Sequence, residues 1–255
     1  MTNWTNNVDF VGPPSDIIQQ ASSSKLESLL TKVNEHVYEF TAQDPDAPNE
    51  LATGWRHNEQ YLVTNAHAVV ALLSGESVDE GTYKAKPLKS WQGFQELKLR
   101  LIDRENDLAG LLFEENSNQF GLHFRETEPE VGEEAIIVGR TQGTNTKGVL
   151  DGKIKKKFED VFLYDAPTKP GSSGSPILDI DGKVIGVHQG VTPENGNYNG
   201  WAIGILNTRA RPLLERKFDV TRDGDGSEEG LITQEKLTYI SLGLGGLVAL
   251  KTLGE

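Results

Sequence analysis

The sequence predicts an all-β fold, a sandwich or barrel built from many short strands. Three observations carry this expectation. From Val37 to Trp201 the chain breaks into short runs rich in β-branched, aromatic and aliphatic residues: HVYEF, ATGW, QYLVTNA, LKLRLID, DLAGLLF, EEAIIVG, VFLYDA, SPILDI, KVIGVHQG and GWAIGIL. Gly, Pro, Asn and Asp bound these runs, the pattern of strands punctuated by turns. Asp181-Gly182 stands between two of them, a hairpin signal. No period of 20 to 50 residues is visible, which argues against solenoids and propellers. With 255 residues and no cysteine, the fold has to rest on its core, as one large unit or two small lobes.

Taken in order, residues 1–22 are polar and contain Pro13 and Pro14, the composition of a loose arm. Ser24 and Glu27 then form a capping box in front of Leu26, Leu29, Leu30, Val33 and Val37, one face of a helix expected over 24–36. Residues 1–36 are thus an arm and a helix preceding the strands of 37–216. The run Lys153, Lys155, Lys156 and Lys157 is the basic segment of an acidic chain. It is read as an exposed hairpin tip, with attraction of acidic substrates as the alternative.

After Arg216 the composition changes. Residues 219–230, DVTRDGDGSEEG, hold five acids, one Arg and three Gly, which is linker chemistry. Asp219, Asp223, Asp225 and Glu229 resemble an EF-hand loop, a candidate metal site. Counting from Asp219, however, Gly230 stands where a bidentate Glu is needed, and no metal is expected. Residues 231–255 are expected to be a helical tail. Its apolar stretch from Leu237 to Leu250 is shorter than the roughly 20 residues needed to span a bilayer. That tail could pack on the strands, dock a partner protein or lie in a membrane interface.

Composition also excludes function classes. Without cysteine there is no thiol nucleophile, no Cys-ligated zinc and no iron–sulfur cluster. The 25 Lys and Arg stand against 38 Asp and Glu, a formal charge of −13. That balance argues against nucleic acid as a partner, because phosphate binding needs a concentrated basic face. No basic n-region followed by an apolar h-region opens the sequence, so the expected location is cytoplasmic.

Three segments carry chemistry. His67 lies in YLVTNAHAVV, an apolar strand running into small residues; Asp107 opens DLAGLLF; KPGSSGSPIL surrounds serines with Gly and Pro. Singly, each has an ordinary reading, a packed core histidine or a plain turn. Together they supply what a serine nucleophile requires: an imidazole to take its proton, a carboxylate to orient that imidazole, and backbone amides turned toward an oxyanion by glycines. The chain order is His, Asp, Ser, which differs from the order in α/β-hydrolases and subtilisins.

TNAHAV, DLAGL and GSSGSP resemble the three catalytic blocks of chymotrypsin-fold serine peptidases, over residues 37 to 212. The resemblance implies two six-stranded antiparallel β-barrels, at about 37–125 and 126–212, flanked by the N-terminal helix and the C-terminal helical tail. It implies His67 as general base and then acid, Asp107 as its orienting carboxylate, Ser173 as nucleophile, and the N–H groups of Gly171 and Ser173 as oxyanion hole. No cofactor is implied. YDAPTKPGSSGSP and GWAIGI are similar to the disulfide-free Htr proteases. The 39 residues after Arg216 are too few for the PDZ domain those proteases append. His188, in KVIGVHQG, and Thr168, five residues before Ser173, resemble the pocket of glutamyl endopeptidases. That likeness implies an S1 pocket of Thr168, His188, Gln189 and Gly190, preferring Glu, then Gln or Asp, before the cut. The expected function is therefore a serine endopeptidase acting on protein or peptide substrates. Its rivals are a catalytically inactive binding module of the same fold and a protease kept latent by its tail.

Overall fold

The computed structural model describes residues 23–42, 52–57, 60–71, 82–88, 93–113, 121–140, 147–168, 171–192 and 202–219. The expected arm, Asp223, Asp225 and Glu229 of the acidic cluster, and the apolar tail lie outside the described residues.

Helix α1 (Ser23–Val33) buries Leu29, Leu30 and Val33, the face expected from their spacing. It ends three residues before the expected boundary. The Asn34 and His36 amides close the last turn on the Leu30 and Val33 carbonyls. The His36 carbonyl then accepts from Arg56 N at 2.8 Å, which commits the chain to the sheet before another turn can form.

Twelve strands close into two antiparallel barrels of six, as expected. The first contains β1 (Val37–Ala42), β2 (Ala52–Arg56), β3 (Tyr61–Thr64), β4 (Thr82–Pro87), β5 (Gln95–Asp103) and β6 (Leu108–Phe113), paired in the order β1-β2-β3-β6-β5-β4. The second contains β7 (Glu134–Arg140), β8 (Lys147–Lys157), β9 (Val161–Tyr164), β10 (Pro176–Leu178), β11 (Val184–Val191) and β12 (Ala202–Leu206), in the order β10-β11-β12-β9-β8-β7. Two further helices complete the described elements: the six-residue α2 (Ala66–Ala71) follows β3, and the 13-residue α3 (Asn207–Asp219) follows β12. Closure leaves neither barrel an open edge, which suits a fold without disulfides.

Each barrel has its own apolar interior. Tyr38, Leu62, Val69, Tyr83, Leu97, Leu111 and Phe113 fill the first. Ile137, Phe162, Tyr164, Ile177, Ile185 and Leu206 fill the second. Arg56 is fully buried, its guanidinium 3.8 Å from the Phe113 ring centre and its Nε donating to the Tyr38 hydroxyl at 3.0 Å. Hydrogen bonding and stacking replace the water such a charge loses.

The described part of the segment joining the barrels, 121–133, is held by contacts along its length. Phe124 bridges to Val184, and Arg125 pairs with Glu133 and, at 3.5 Å, with Asp179. The Asn207 side chain donates to the Arg125 and Thr127 carbonyls at 2.6 and 2.9 Å. Asp179 also accepts from the amides of Asp181 and Lys183, which shapes the expected Asp181-Gly182 hairpin; Gly182 there takes φ 83°. A Cβ on Gly182 would lie 2.6 Å from Leu29 Cδ1, so α1 packs directly on this turn.

Two local expectations are corrected. Lys153, Lys155, Lys156 and Lys157 are exposed but lie within β8, paired to β7 and β9, and not at a hairpin tip. A bulge between Ile154 and Lys156 absorbs the extra residue. Lys155 and Lys157 there pair with Asp165 and Glu128. Asp107 does not open β6 but closes the turn before it, at φ 53°. A left-handed residue cannot continue a ladder, and Asp is among the few non-glycine residues that adopt that conformation readily.

Candidate active site

His67 is the second residue of α2, not part of the strand that precedes it. The Asp107 carboxylate meets it twice. One oxygen accepts from the His67 backbone amide at 2.9 Å, and both lie within 3.0 Å of Nδ1, the nearer at 2.8 Å. Asp107 is largely covered while the His67 side chain is 48 % exposed, so one face of the imidazole is open for chemistry. Desolvation disfavours the imidazolium, but hydrogen bonding and charge attraction from Asp107 together outweigh it, and the His67 pKa lies above its ordinary value. A carboxylate on Nδ1 fixes that nitrogen as the donor and leaves Nε2 to accept a proton.

The Gly171–Ser175 loop is shaped by both barrels. Thr53, in β2, donates its Oγ1 to the Gly171 carbonyl at 2.8 Å and its amide to the Ser173 carbonyl at 3.1 Å. Gly174, at φ 83°, sits so close to the Thr53 carbonyl and Thr64 Oγ1 that a Cβ would lie 2.2 Å from each. Only glycine fits there. Thr64 ends β3 three residues before His67, so this packing brings the serine loop to the segment carrying the imidazole. Gly171 is also left-handed, at φ 96°. Among the described residues nothing accepts from the amides of Gly171 or Ser173, which leaves both donors available to an oxyanion. Ser173 makes no hydrogen bond to His67 among the described contacts; Ser173 is half-buried, while Ser172 and Ser175 are buried.

Strand β11 flanks the same loop. Gly174 N donates to the His188 carbonyl at 3.0 Å, and His188 N to the Ser175 carbonyl at 2.9 Å. The His188 side chain is 2 % exposed, with Nδ1 2.6 Å from the Tyr164 hydroxyl. Burial, aided by the nearby His67 charge, lowers its pKa to about 3, so the ring is neutral. Burial likewise raises the Tyr164 pKa well above 10, so its hydroxyl keeps its proton. Gln189 is the extra residue of a bulge between His188 and Gly190. A Cβ at Gly190 would meet nothing within 4 Å. Thr168 Oγ1 is buried without a hydrogen-bond partner. No contact joins Thr168 to His188 among those described. Among the described residues no group of His, Asp and Glu is arranged to hold a metal.

Residues 52–187 match the trypsin-like peptidase domain. The chain belongs to that family. This peptidase domain is 29 % identical over 171 residues to a probable periplasmic serine endoprotease DegP-like of Chlamydia muridarum, covering 61 % of the chain and 31 % of that protein. Its counterpart in Chlamydia pneumoniae is 31 % identical over 173 residues, covering 64 % and 33 %. The chain thus spans about a third of the length of these relatives. Among solved structures, the serine endoprotease from Yersinia pestis superposes with a TM-score of 0.63 at 18 % identity, covering 78 % of this chain and 67 % of that one. An inactive form of Rv3671c from M. tuberculosis H37Rv gives 0.62 at 16 %, covering 82 % and 95 %. At these identities the superpositions establish the fold.

Three residues of the peptidase domain's site escape the sequence reading. Thr53 is invisible because its role depends on a loop 118 positions away. Tyr164 could have been found, since alternation in VFLYDA turns it inward with Phe162. Asn65, two residues before His67, gave no sequence signal, because its side chain bonds to Asp107, 42 positions away.

Proposed function

We propose that this domain is a serine endopeptidase that cleaves protein or peptide substrates through an acyl-enzyme. The observation that carries the reading is the Asp107 carboxylate bound to both the amide and Nδ1 of His67. The naming of the Chlamydia relatives as probable serine endoproteases supports the same reading. In this reading Ser173 Oγ attacks the scissile carbonyl carbon as His67 Nε2 takes the hydroxyl proton. The carbonyl oxygen, now negative, is met by the amides of Gly171 and Ser173. His67 returns its proton to the leaving amine, the C–N bond breaks, and a water activated by the same imidazole releases the acyl group. Preorganised amides cost nothing to reorient at that moment, which is why a loop pinned by Thr53 matters.

The proposed specificity is for Glu before the cut, with Gln and Asp next, through Thr168, His188, Gln189 and Gly190. The unpartnered Thr168 hydroxyl and the open space at Gly190 support a pocket here. A neutral imidazole offers a hydrogen bond without charge, and none of the four proposed pocket residues is a carboxylate that would attract Lys or Arg.

Labelling with a fluorophosphonate tests the activity: wild type should label and Ser173→Ala should not. Absence of label on the folded chain, both whole and truncated after Arg216, would favour the inactive binding module, and label appearing only on truncation would favour the protease kept latent by its tail. A peptide-library profile dominated by Lys, Arg or aliphatic residues before the cut would reject the specificity while leaving the activity standing.

A further inference from the structure

Asn65 stands at the start of α2, where its carbonyl accepts from Val69 N at 3.3 Å. An Asn in this place ordinarily turns its side-chain oxygen onto the free amides of the first helical turn. This one does not. Its Oδ1 is buried with no hydrogen-bond partner, and the residue is fully enclosed. The amide Nδ2 instead donates to the backbone carbonyl of Asp107 at 2.9 Å. The amide of the second helical residue, His67, goes to the Asp107 carboxylate. Asp107 therefore takes over the capping task that Asn65 leaves, while Asn65 holds the Asp107 backbone.

The exchange has a purpose that helix stability does not explain. Asp107 is the non-glycine residue with positive φ among those described, at 53°. Its carboxylate reaches the imidazole from a turn, and a turn residue in a sparsely populated conformation needs its surroundings to keep it there. Neighbouring Asn106 is bound to Asp103 through both its amide and its side chain, at 3.0 and 2.9 Å. The Asn65 bond fixes the peptide on the other side of Asp107.

We infer that Asn65 is a positioning residue of the proposed peptidase reaction: it clamps the Asp107 backbone so that the carboxylate stays on Nδ1 of His67. The inference rests on the peptidase reading for its kinetic arm only. The groups that set the charge of His67 are Asp107, which raises its pKa, and burial, which opposes it; His188 lies within electrostatic reach and is neutral. Loosening the carboxylate lets burial prevail.

Two measurements on the full chain test this. In steady-state cleavage, Asn65→Ala should lower kcat about 10- to 100-fold, the usual cost of misplacing a reacting group by about an ångström. KM should stay within about twofold of wild type, because the substitution touches no proposed substrate contact. NMR titration of His67 in a Ser173→Ala background should show its pKa falling on Asn65→Ala, and no further fall when Asp107→Ala is already present. Asn65→Ser, which keeps a polar residue but cannot reach the Asp107 carbonyl, should behave like Asn65→Ala and replaces it if that variant does not fold. An unchanged His67 pKa, an equal change with and without Asp107, or a kcat within twofold of wild type would each overturn the inference. A wild-type chain that fails to label with fluorophosphonate would remove the peptidase reading, and the titration would still decide the role of Asn65.

Discussion

His188 makes the stability of this fold sensitive to acid in a way that can be worked out from its surroundings. The ring is enclosed and paired with the Tyr164 hydroxyl, and its pKa falls from an ordinary 6.5 to about 3. Lowering the pH from about 7 to about 4 lets the unfolded chain take a proton at this position while the folded chain refuses it. Stability must therefore decline as pH falls through that window, because the unfolded state binds more protons. At about 1.4 kcal/mol per pH unit over about 2.5 units, the loss is roughly 3.5 kcal/mol. That is a large share of the roughly 5–15 kcal/mol that holds a typical domain. The assay is urea unfolding at several pH values in a Ser173→Ala background, comparing His188 with His188→Gln. Glu128, Glu133 and Asp165, whose pKa values are lowered by their partners, also weaken the fold as pH falls through their folded pKa values, but equally in both chains. The difference between the two curves isolates the histidine. Stability curves that run parallel from about pH 7 to about pH 4 would refute the reasoning.

Two further substitutions probe the proposed site. Thr53→Val keeps the volume of Thr53 but removes the bond to the Gly171 carbonyl; kcat should fall on the order of 10-fold, with stability reduced by about 1 kcal/mol. Steady-state kinetics and a melting curve measure both, and an unchanged kcat would show that the serine loop holds its shape without this anchor. Gly190→Leu projects into open space, so stability should stay within about 0.5 kcal/mol while KM for peptides with Glu or Gln before the cut rises several-fold. An unchanged KM would place the pocket elsewhere.

The barrels were legible because strands between turn residues leave a regular trace, and closure demanded nothing more exotic than alternation and a few glycines. The pairing of His67 with Asp107 was legible for a different reason: an imidazole in one segment and a carboxylate in another are the residue types such chemistry needs, and the two do meet, whereas Ser173 rests on the resemblance of GSSGSP to a catalytic block. What was not legible was local conformation decided by contacts from afar. DLAGLLF reads as one continuous strand, yet Asp107 is drawn out of it by Asn65 and His67 from another segment. The lysine run reads as a hairpin tip because charge and exposure go together, but the bulged, exposed end of a long barrel strand looks the same in sequence. The same limit applies to His188. Sequence places it beside the serine loop, whereas the hydrogen bond that makes it a neutral, enclosed ring comes from Tyr164, 24 residues earlier on β9.

Thr53 reaches across to the loop bearing Ser173, so the seam between the barrels is itself part of the proposed machinery. A fragment containing one barrel would carry either the proposed base or the proposed nucleophile, and in the second case would also lack the strand that moulds its loop. Competence is therefore shared property: anything that prises the seam apart should silence the protein before either barrel has melted, and two inert halves brought back together should recover what neither possesses alone.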